Sequence, residues 1–365
     1  MSITPSQNRI RWENLPASSL QHQEGEFLKE WDRLNGERGD LAIMAGYTVV
    51  SALSAFGTSQ ERLLVGRNGT AIVAMAILAP AGILRWQTFQ PSQLPLGTWV
   101  AQKSLTLQDL SQTLLRGPLG LCLALSITQV DPLVAARQVD MADTRHSDYV
   151  DTGWIDIAGD FDDYWHARGK NLRQNMRKQR TRLAADGVKL SLDVLRDKNQ
   201  MAAAIAQYGQ LESNGWKASE GTAIHPDNVQ GRFYLSLMES ASLHGQAVIY
   251  IYRFDDRAVA MNICLQRTGV LIVLKTTYDE TIKTYSPAFL MQESVLQMLH
   301  AEGEVHRLEY FGRMMDWHTK WTECARLLYH FTSYRAPFVK KFAMARQMKS
   351  GTVSAAPDKI LSGST

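Results

Sequence analysis

Cysteine is scarce in this sequence: three residues of 365, Cys122, Cys264 and Cys324, with no pairing and no metal-ligand spacing. That pattern excludes a disulfide framework and a cysteine-rich zinc centre, and it suits a reducing compartment; no metal is expected. A dominant charge is also lacking. Against 39 Lys and Arg stand 36 Asp and Glu, a formal net charge of +3. The chain as a whole therefore does not attract nucleic acid, no DNA partner is expected, and any basic site must be local. Long apolar runs are missing too. The longest, 71–84, is interrupted by Pro80 and Gly82 and is too short to span a bilayer. It reads as two buried strands joined by a turn. The opening residues, Met1 to Gln7, lack the charged and apolar regions of a signal peptide. A cytoplasmic location with no transmembrane segment is expected, and peripheral membrane association is left open.

What is present is an ordinary globular composition, 45% hydrophobic and 21% charged, over a length comfortable for two domains. After a polar leader (1–20), Phe27, Trp31 and Leu34 share one helical face, and a second helix is expected over 41–55. Strands follow at 62–65, 70–78 and 83–89, with turns at Gly66 to Gly69 and Pro80 to Gly82. A helix over 105–115 and an apolar strand over 119–127 complete the first unit. The polar stretch 137–151 is the best boundary. The second half repeats the order: a long helix at 161–185, a strand at 188–194, helices at 198–213 and 227–243, and a meander at 247–254, 259–266 and 271–277. A helix begins at Ser286-Pro287 and ends at Gly303, before strands at 306–311 and 326–334. Strand, strand, strand, helix, strand in both halves implies a duplicated α+β unit, each a mixed, mostly antiparallel sheet flanked by helices, over 21–140 and 150–345. The alternative is two unrelated mixed domains. The end, 349–365, is small and polar and is expected to be a disordered tail.

Four segments of the second half carry a resemblance. They are Asn214-Gly215-Trp216-Lys217-Ala218-Ser219-Glu220-Gly221-Thr222-Ala223; the basic stretch 171–178; Tyr278 with Tyr285-Ser286-Pro287-Ala288-Phe289-Leu290; and Glu309-Tyr310-Phe311-Gly312 with Lys320-Trp321. In this order they resemble the CelD/BcsL-type acetyltransferases of the GNAT superfamily, over about half the chain. The resemblance implies a tandem GNAT fold akin to the Fem-type transferases, with a degenerate first domain. It also implies acetyl-coenzyme A or another acyl-coenzyme A as donor and an association with cellulose or other exopolysaccharide production. Ala288, Glu309 and Thr319 depart from the family's usual glycine, aspartate and tyrosine.

Acyl transfer of this type needs a nucleophile, a base and donors for the oxyanion. The fold that the resemblance implies places the donor where 271–277 and 306–311 diverge. Free amides at the start of the helix at Ser286 favour a donor phosphate there, with Tyr285, Ser286 and Ala288 as its contacts. An ordinary N-cap accounts for Ser286 equally well. The sequence Gln266-Arg267-Thr268-Gly269 superficially resembles a phosphate loop, but it falls in a hairpin and is discounted. Glu309, Lys320 and His318 follow the penultimate strand as candidate catalytic groups, or as members of a solvated, salt-bridged loop. Tyr278 is the candidate proton donor to the leaving thiolate. From Arg168 to Arg182 there are seven basic residues and no acid; Arg173 and Arg177 on this face would hold a pyrophosphate, an anionic glycan or a tRNA end, or be merely solvated. Trp216, Lys217 and Glu220 are candidate acceptor contacts. The expected function is acyl transfer to an amine or hydroxyl of a saccharide or cell-envelope precursor. The alternatives are aminoacyl transfer from charged tRNA and a binding module serving envelope or polysaccharide-synthesis proteins.

Overall fold

A computed structural model describes residues 10–21, 25–213 and 224–350. Thirteen strands form one sheet. In chain order they are β1 (Arg11–Pro16), β2 (Arg62–Asn68), β3 (Ala71–Pro80), β4 (Arg85–Thr88), β5 (Trp99–Ala101), β6 (Ala124–Val130), β7 (Thr144–Asp156), β8 (Leu190–Leu195), β9 (Ala247–Phe254), β10 (Arg257–Arg267), β11 (Val270–Tyr278), β12 (Arg307–Glu309) and β13 (Ala325–Tyr334). Their spatial order is β1-β2-β3-β4-β6-β13-β7-β12-β11-β10-β9-β8, with β5 alongside β3. Pairing is antiparallel except at β4–β6 and β11–β12, which are parallel and have a helix between them in the chain. Five strands of each half therefore follow the same order, as the duplication requires.

The last strand of each half crosses to the other. β7 leaves β6 but pairs with β12, and β13 leaves β12 but pairs with β6. The two exchanged strands pair with each other at the centre, antiparallel, from Ala325↔Gly153 to Ser333↔Thr144. The polar stretch expected as a boundary is thus mostly a strand of the sheet, and Arg11–Pro16 within the expected leader is its first strand. Both carry little apolar signal. β1 shows mostly exposed residues, and β7 opens on five polar residues, Thr144 to Asp148, and lies between neighbours from the opposite half.

Among the described residues the α-helices are α1 (Glu26–Gly36), α2 (Gly46–Phe56), α3 (Leu107–Arg116), α4 (Phe161–His166), α5 (Lys170–Ala185), α6 (Lys198–Ser213), α7 (Val229–Leu243), α8 (Pro287–Glu302) and α9 (Pro337–Ser350). The helix expected over 161–185 is two, broken at 167–169, where Gly169 precedes α5. On one face of the sheet α1 and α2 of the first half pack with α6 and α7 of the second in a single core. Phe27, Trp31 and Leu34 meet Tyr208, Phe233 and Leu237 in that cluster. The α2–α7 contact is closed by Phe56 on Phe233 at 5.2 Å between ring centroids and by Ser51 on Ser236 at 3.2 Å. On the other face α4, α5 and α8 cover the second half and α3 covers the first. The shared core makes the halves interdependent, since neither could expose this face without leaving buried apolar side chains in water.

Candidate active site

β11 and β12 pair only through Val270–Ile272 and then separate. The parting starts at a bulge. Ile263 of β10 lies opposite Lys275 and Cys264 opposite Val273, so Leu274 is an extra residue in β11. A one-residue insertion turns the following side chains to the other face. Leu271 and Val273 accordingly join the core under α8, whereas Lys275 points to α6 and α7. Across the opening the chain leaves β12 through Tyr310 and Phe311; Phe311 is buried and adopts a left-handed backbone (φ 50), a strained choice for a bulky residue.

The start of α8 follows the parted end of β11, to which a 3-10 turn, Glu280–Tyr285, connects it. Asp279 fixes the segment, accepting from the Thr281 amide at 3.0 Å and hydroxyl at 2.6 Å and pairing with Arg257. Burial opposes its ionisation, but these partners outweigh it and hold its carboxyl below the usual range. Ser286 takes the left-handed conformation (φ 52, ψ 52), and its side chain makes no cap; Pro287 follows, and no acid lies in the first turn. The Ser286 hydroxyl instead accepts from the Asn175 side chain at 3.3 Å, and Gln179 donates to Asn175 at 3.2 Å. Gln179 is buried with its Oε1 unpartnered. An uncapped helix start without a nearby carboxylate is an anion-seeking group. Ala288 is half-buried in its first turn. Tyr285 packs under the Arg182 guanidinium, 4.2 Å from the ring centroid. Tyr278 ends β11 with its side chain partly exposed, and burial of the rest raises its hydroxyl pKa and keeps the proton on.

The opposite face of the opening holds two residues that the sequence did not single out. Glu212 of α6, buried, accepts from Lys275 Nζ at 3.3 Å and from the Ile224 amide at 2.7 Å. Lys275 lies 5.6 Å from the Tyr234 ring centroid. Tyr208 and Tyr234, buried beside this carboxylate, have hydroxyl pKa values raised first by burial and then by Glu212. A lysine inside the run Val270 to Tyr278 and an acid closing the apolar face of α6 were the available signals, because such residues are buried only in pairs.

The expected convergence of Glu309, Lys320 and Ser286 is corrected at Glu309. Its carboxylate is locked at the seam between the halves, both oxygens on Arg326 Nη1 at 2.9 and 3.1 Å. Arg326 also binds both oxygens of Asp131 and lies between the rings of Trp154 and Phe311, at 5.3 and 5.1 Å. Burial pushes Glu309 up to about 7 against the pull of Arg326, and Asp131 adds repulsion. This carboxylate ties β12 to β13 and, through Arg326, to Asp131 after β6. His318 is likewise structural. Its Nδ1 accepts from the Met315 amide at 2.8 Å, its ring stacks on Trp317 at 3.5 Å, and burial lowers its pKa to about 4. Lys320 is exposed, next to Trp321, whose ring packs on Phe289 in the first turn of α8 at 5.6 Å. The turn carrying Lys320 therefore does reach the start of α8.

The basic face of α5 is divided. Arg180 pairs with Glu293 of α8 at 2.8 Å, and Arg173 donates to the Arg168 carbonyl at 3.1 Å, while Arg177 is exposed. Arg267, in the discounted loop, pairs with Asp40 at 2.6 Å, which fits a hairpin anchored to α1's neighbourhood and not a phosphate loop. Trp216, Lys217 and Glu220 lie outside the described residues.

Residues 170–319 match the family model described as an acetyltransferase (GNAT) domain. No curated protein matches the sequence closely enough to count as a relative. Among solved structures, a domain (DUF2156) from Agrobacterium fabrum assigned to a lysylphosphatidylglycerol synthetase superposes with a TM-score of 0.55 at 15% identity, covering 90% of this chain and 98% of its own. FemX superposes at 0.54 with 9% identity, over 86% of this chain and 97% of its own. A conserved protein of unknown function from Bacteroides thetaiotaomicron gives 0.53 with 8% identity, over 89% and 99%. At such identities the likeness is one of fold. The chain has a GNAT-like fold, and its second half carries the segment similar to GNAT acetyltransferase domains.

Proposed function

We propose that the second half transfers an acyl group, acetyl in the first instance, from acyl-coenzyme A to an amine or hydroxyl of a saccharide or cell-envelope precursor. The observation that carries this reading is the uncapped, acid-free start of α8 at the point where β11 and β12 part. A donor phosphate there would meet the Ala288 amide and the positive end of the helix, since Pro287 has no N–H and the Phe289 and Leu290 amides donate to the Ser286 carbonyl, and the thioester would run into the opening beside Tyr278. The acceptor would enter from the α6–α7 face. Glu212, oriented by Lys275, would take the acceptor's proton as its nitrogen or oxygen attacks the thioester carbon; the C–S bond breaks, and Tyr278 gives its proton to the leaving thiolate. Trp216, Lys217 and Glu220 follow Glu212 in the chain and are proposed as acceptor contacts, with Arg173 and Arg177 on the anionic part of either substrate and Lys320 at the donor end. The likeness of motifs to the CelD/BcsL-type proteins favours a role in polysaccharide production.

A second reading, aminoacyl transfer from charged tRNA, would draw on the exposed Lys170, Arg177 and Lys178 of α5. Native mass spectrometry of the full chain with acetyl-coenzyme A and with aminoacyl-tRNA separates the two. One coenzyme per chain is expected. RNA retained in its place would favour the second reading, and neither ligand would favour a binding module.

A further inference from the structure

At the end of the sheet where β13 finishes and β4 and β6 begin, large apolar side chains stand in solvent. Phe338 and Phe342 of α9 are 72% and 67% exposed, Leu121 63% and Ile83 91%. These belong to neighbouring segments. The Leu123 amide donates to the Leu84 carbonyl, which places the turn at Ile83 beside the loop at Leu121. Arg335, two residues before α9, donates to the carbonyls of Leu115 and Gly120, which fixes that loop against the start of the helix. Lys340 Nζ binds the carbonyls of Met141 and Thr144, at 2.8 and 2.6 Å, and clamps α9 by its inner face. Val339, Ala343 and Met344 are turned partly inward, so Phe338, Phe342 and Ala345 form the outer stripe, at intervals of four and three.

The charge on α9 itself has one sign. From Arg335 to Ser350 the sequence holds five basic residues and no acid. Lys341 and Arg346 flank the stripe in solvent, and Arg85 and Arg116 are exposed on the adjoining segments. Asp140, on the nearby turn, is engaged by the His146 amide and ring, both at 2.7 Å. A protein interface core is depleted of lysine, whereas exposed aromatics set among lysine and arginine suit the boundary between headgroups and acyl chains. The ring enters the boundary while the long basic side chains reach the phosphates. Among the described residues no helix is long and apolar enough to cross a membrane, so the contact is interfacial.

We propose that this end of the molecule, led by the outer face of α9, docks on an anionic lipid bilayer. The inference is independent of the donor and acceptor assigned above. Docking would fix which side of the protein meets the membrane and bring a lipid-anchored acceptor within reach of the same surface.

The test is flotation of the full chain with vesicles of phosphatidylcholine alone and of an equal mixture with phosphatidylglycerol. Binding to the mixed vesicles only, released by salt, is expected. Two double variants are compared with the wild type: Phe338→Ser with Phe342→Ser, and Lys341→Gln with Arg346→Gln. The charge variant should lose about thirtyfold in vesicle affinity and the aromatic variant at least about tenfold. Thermal midpoints should be unchanged, since all four side chains are exposed. No binding to the anionic vesicles would overturn the proposal, as would binding undiminished in both variants. So would a dimer in light scattering that the aromatic variant abolishes, because the face would then belong to a second copy of the chain.

Discussion

The two halves bring a helix start to the same place in the same strand order and then treat it in opposite ways. In the first half α3 begins at Thr106, whose hydroxyl accepts from the Asp109 amide while Asp109 accepts from the Thr106 amide: a closed capping box with a carboxylate in the first turn. Arg38 then ties the segment before α3 to the one after β6, donating to the carbonyls of Ala101, Gln102 and Leu105 and to Val134, with its guanidinium 5.0 Å from the Trp99 ring centroid. In the second half α8 begins at an uncapped Ser286 with no acid in its first turn. Saturating a helix start stabilises the fold and removes its affinity for anions; leaving it open does the reverse. The first half closes its helix start, and the second leaves its own open.

The largest expected effect lies where the halves meet. Arg326→Met would leave Asp131 and Glu309 buried without their cation, at a cost of about 3–5 kcal/mol. Urea denaturation should show it as a loss much greater than that of any exposed arginine. A loss under about 1 kcal/mol would mean the seam is not held by this triad. Next comes Glu212→Gln, expected to lower kcat by about a hundredfold or more while leaving donor affinity unchanged. An unchanged kcat would return the Glu212–Lys275 pair to a structural role.

A smaller effect concerns His318, neutral in the fold with its pKa lowered to about 4 from the ordinary 6.5. Below about 6.5 the unfolded chain takes up a proton that the folded chain refuses, so this group costs stability as pH falls from there to about 4, by at most about 1.4 kcal/mol per pH unit. Glu309, raised to about 7, acts in the other direction, its contribution being lost as pH rises. The difference between wild type and His318→Gln, measured by urea denaturation at pH 7 and pH 5, isolates the histidine. The variant should lose less on acidification, and equal losses would contradict the buried neutral assignment. The smallest change is Thr106→Ala, expected to cost about 1 kcal/mol in thermal or urea denaturation with no effect on donor binding.

The succession β2, β3, β4, β6 in the first half and β8 to β12 in the second was legible because turn residues and apolar periodicity mark it: Asn68-Gly69, Thr268-Gly269 and Gly303 stand where the chain reverses or a helix ends. The start of α8 was legible from Ser286-Pro287. What local pattern could not reveal is the exchange of β7 and β13, since each strand answers to neighbours in the other half. Glu309 was misread for the same reason. Its partner Arg326 also binds Asp131, 195 residues away from that arginine, and no spacing announces such a triad. Lys275 and Glu212 were overlooked although each breaks an apolar pattern, because the bulge that turns Lys275 inward has no signature in the residue types around it.

The measurement that bears most directly on the contrast between the two helix starts is calorimetric titration of coenzyme A into the wild type and into Ala288→Asp. The substitution gives α8 the first-turn carboxylate that α3 already has. The wild type should bind one coenzyme per chain. The variant should bind about tenfold more weakly or worse, with a thermal midpoint no lower, since an acid at a helix start is itself stabilising. A wild type that binds no coenzyme, or a variant that binds as tightly as the wild type, would contradict the placement of the donor at α8.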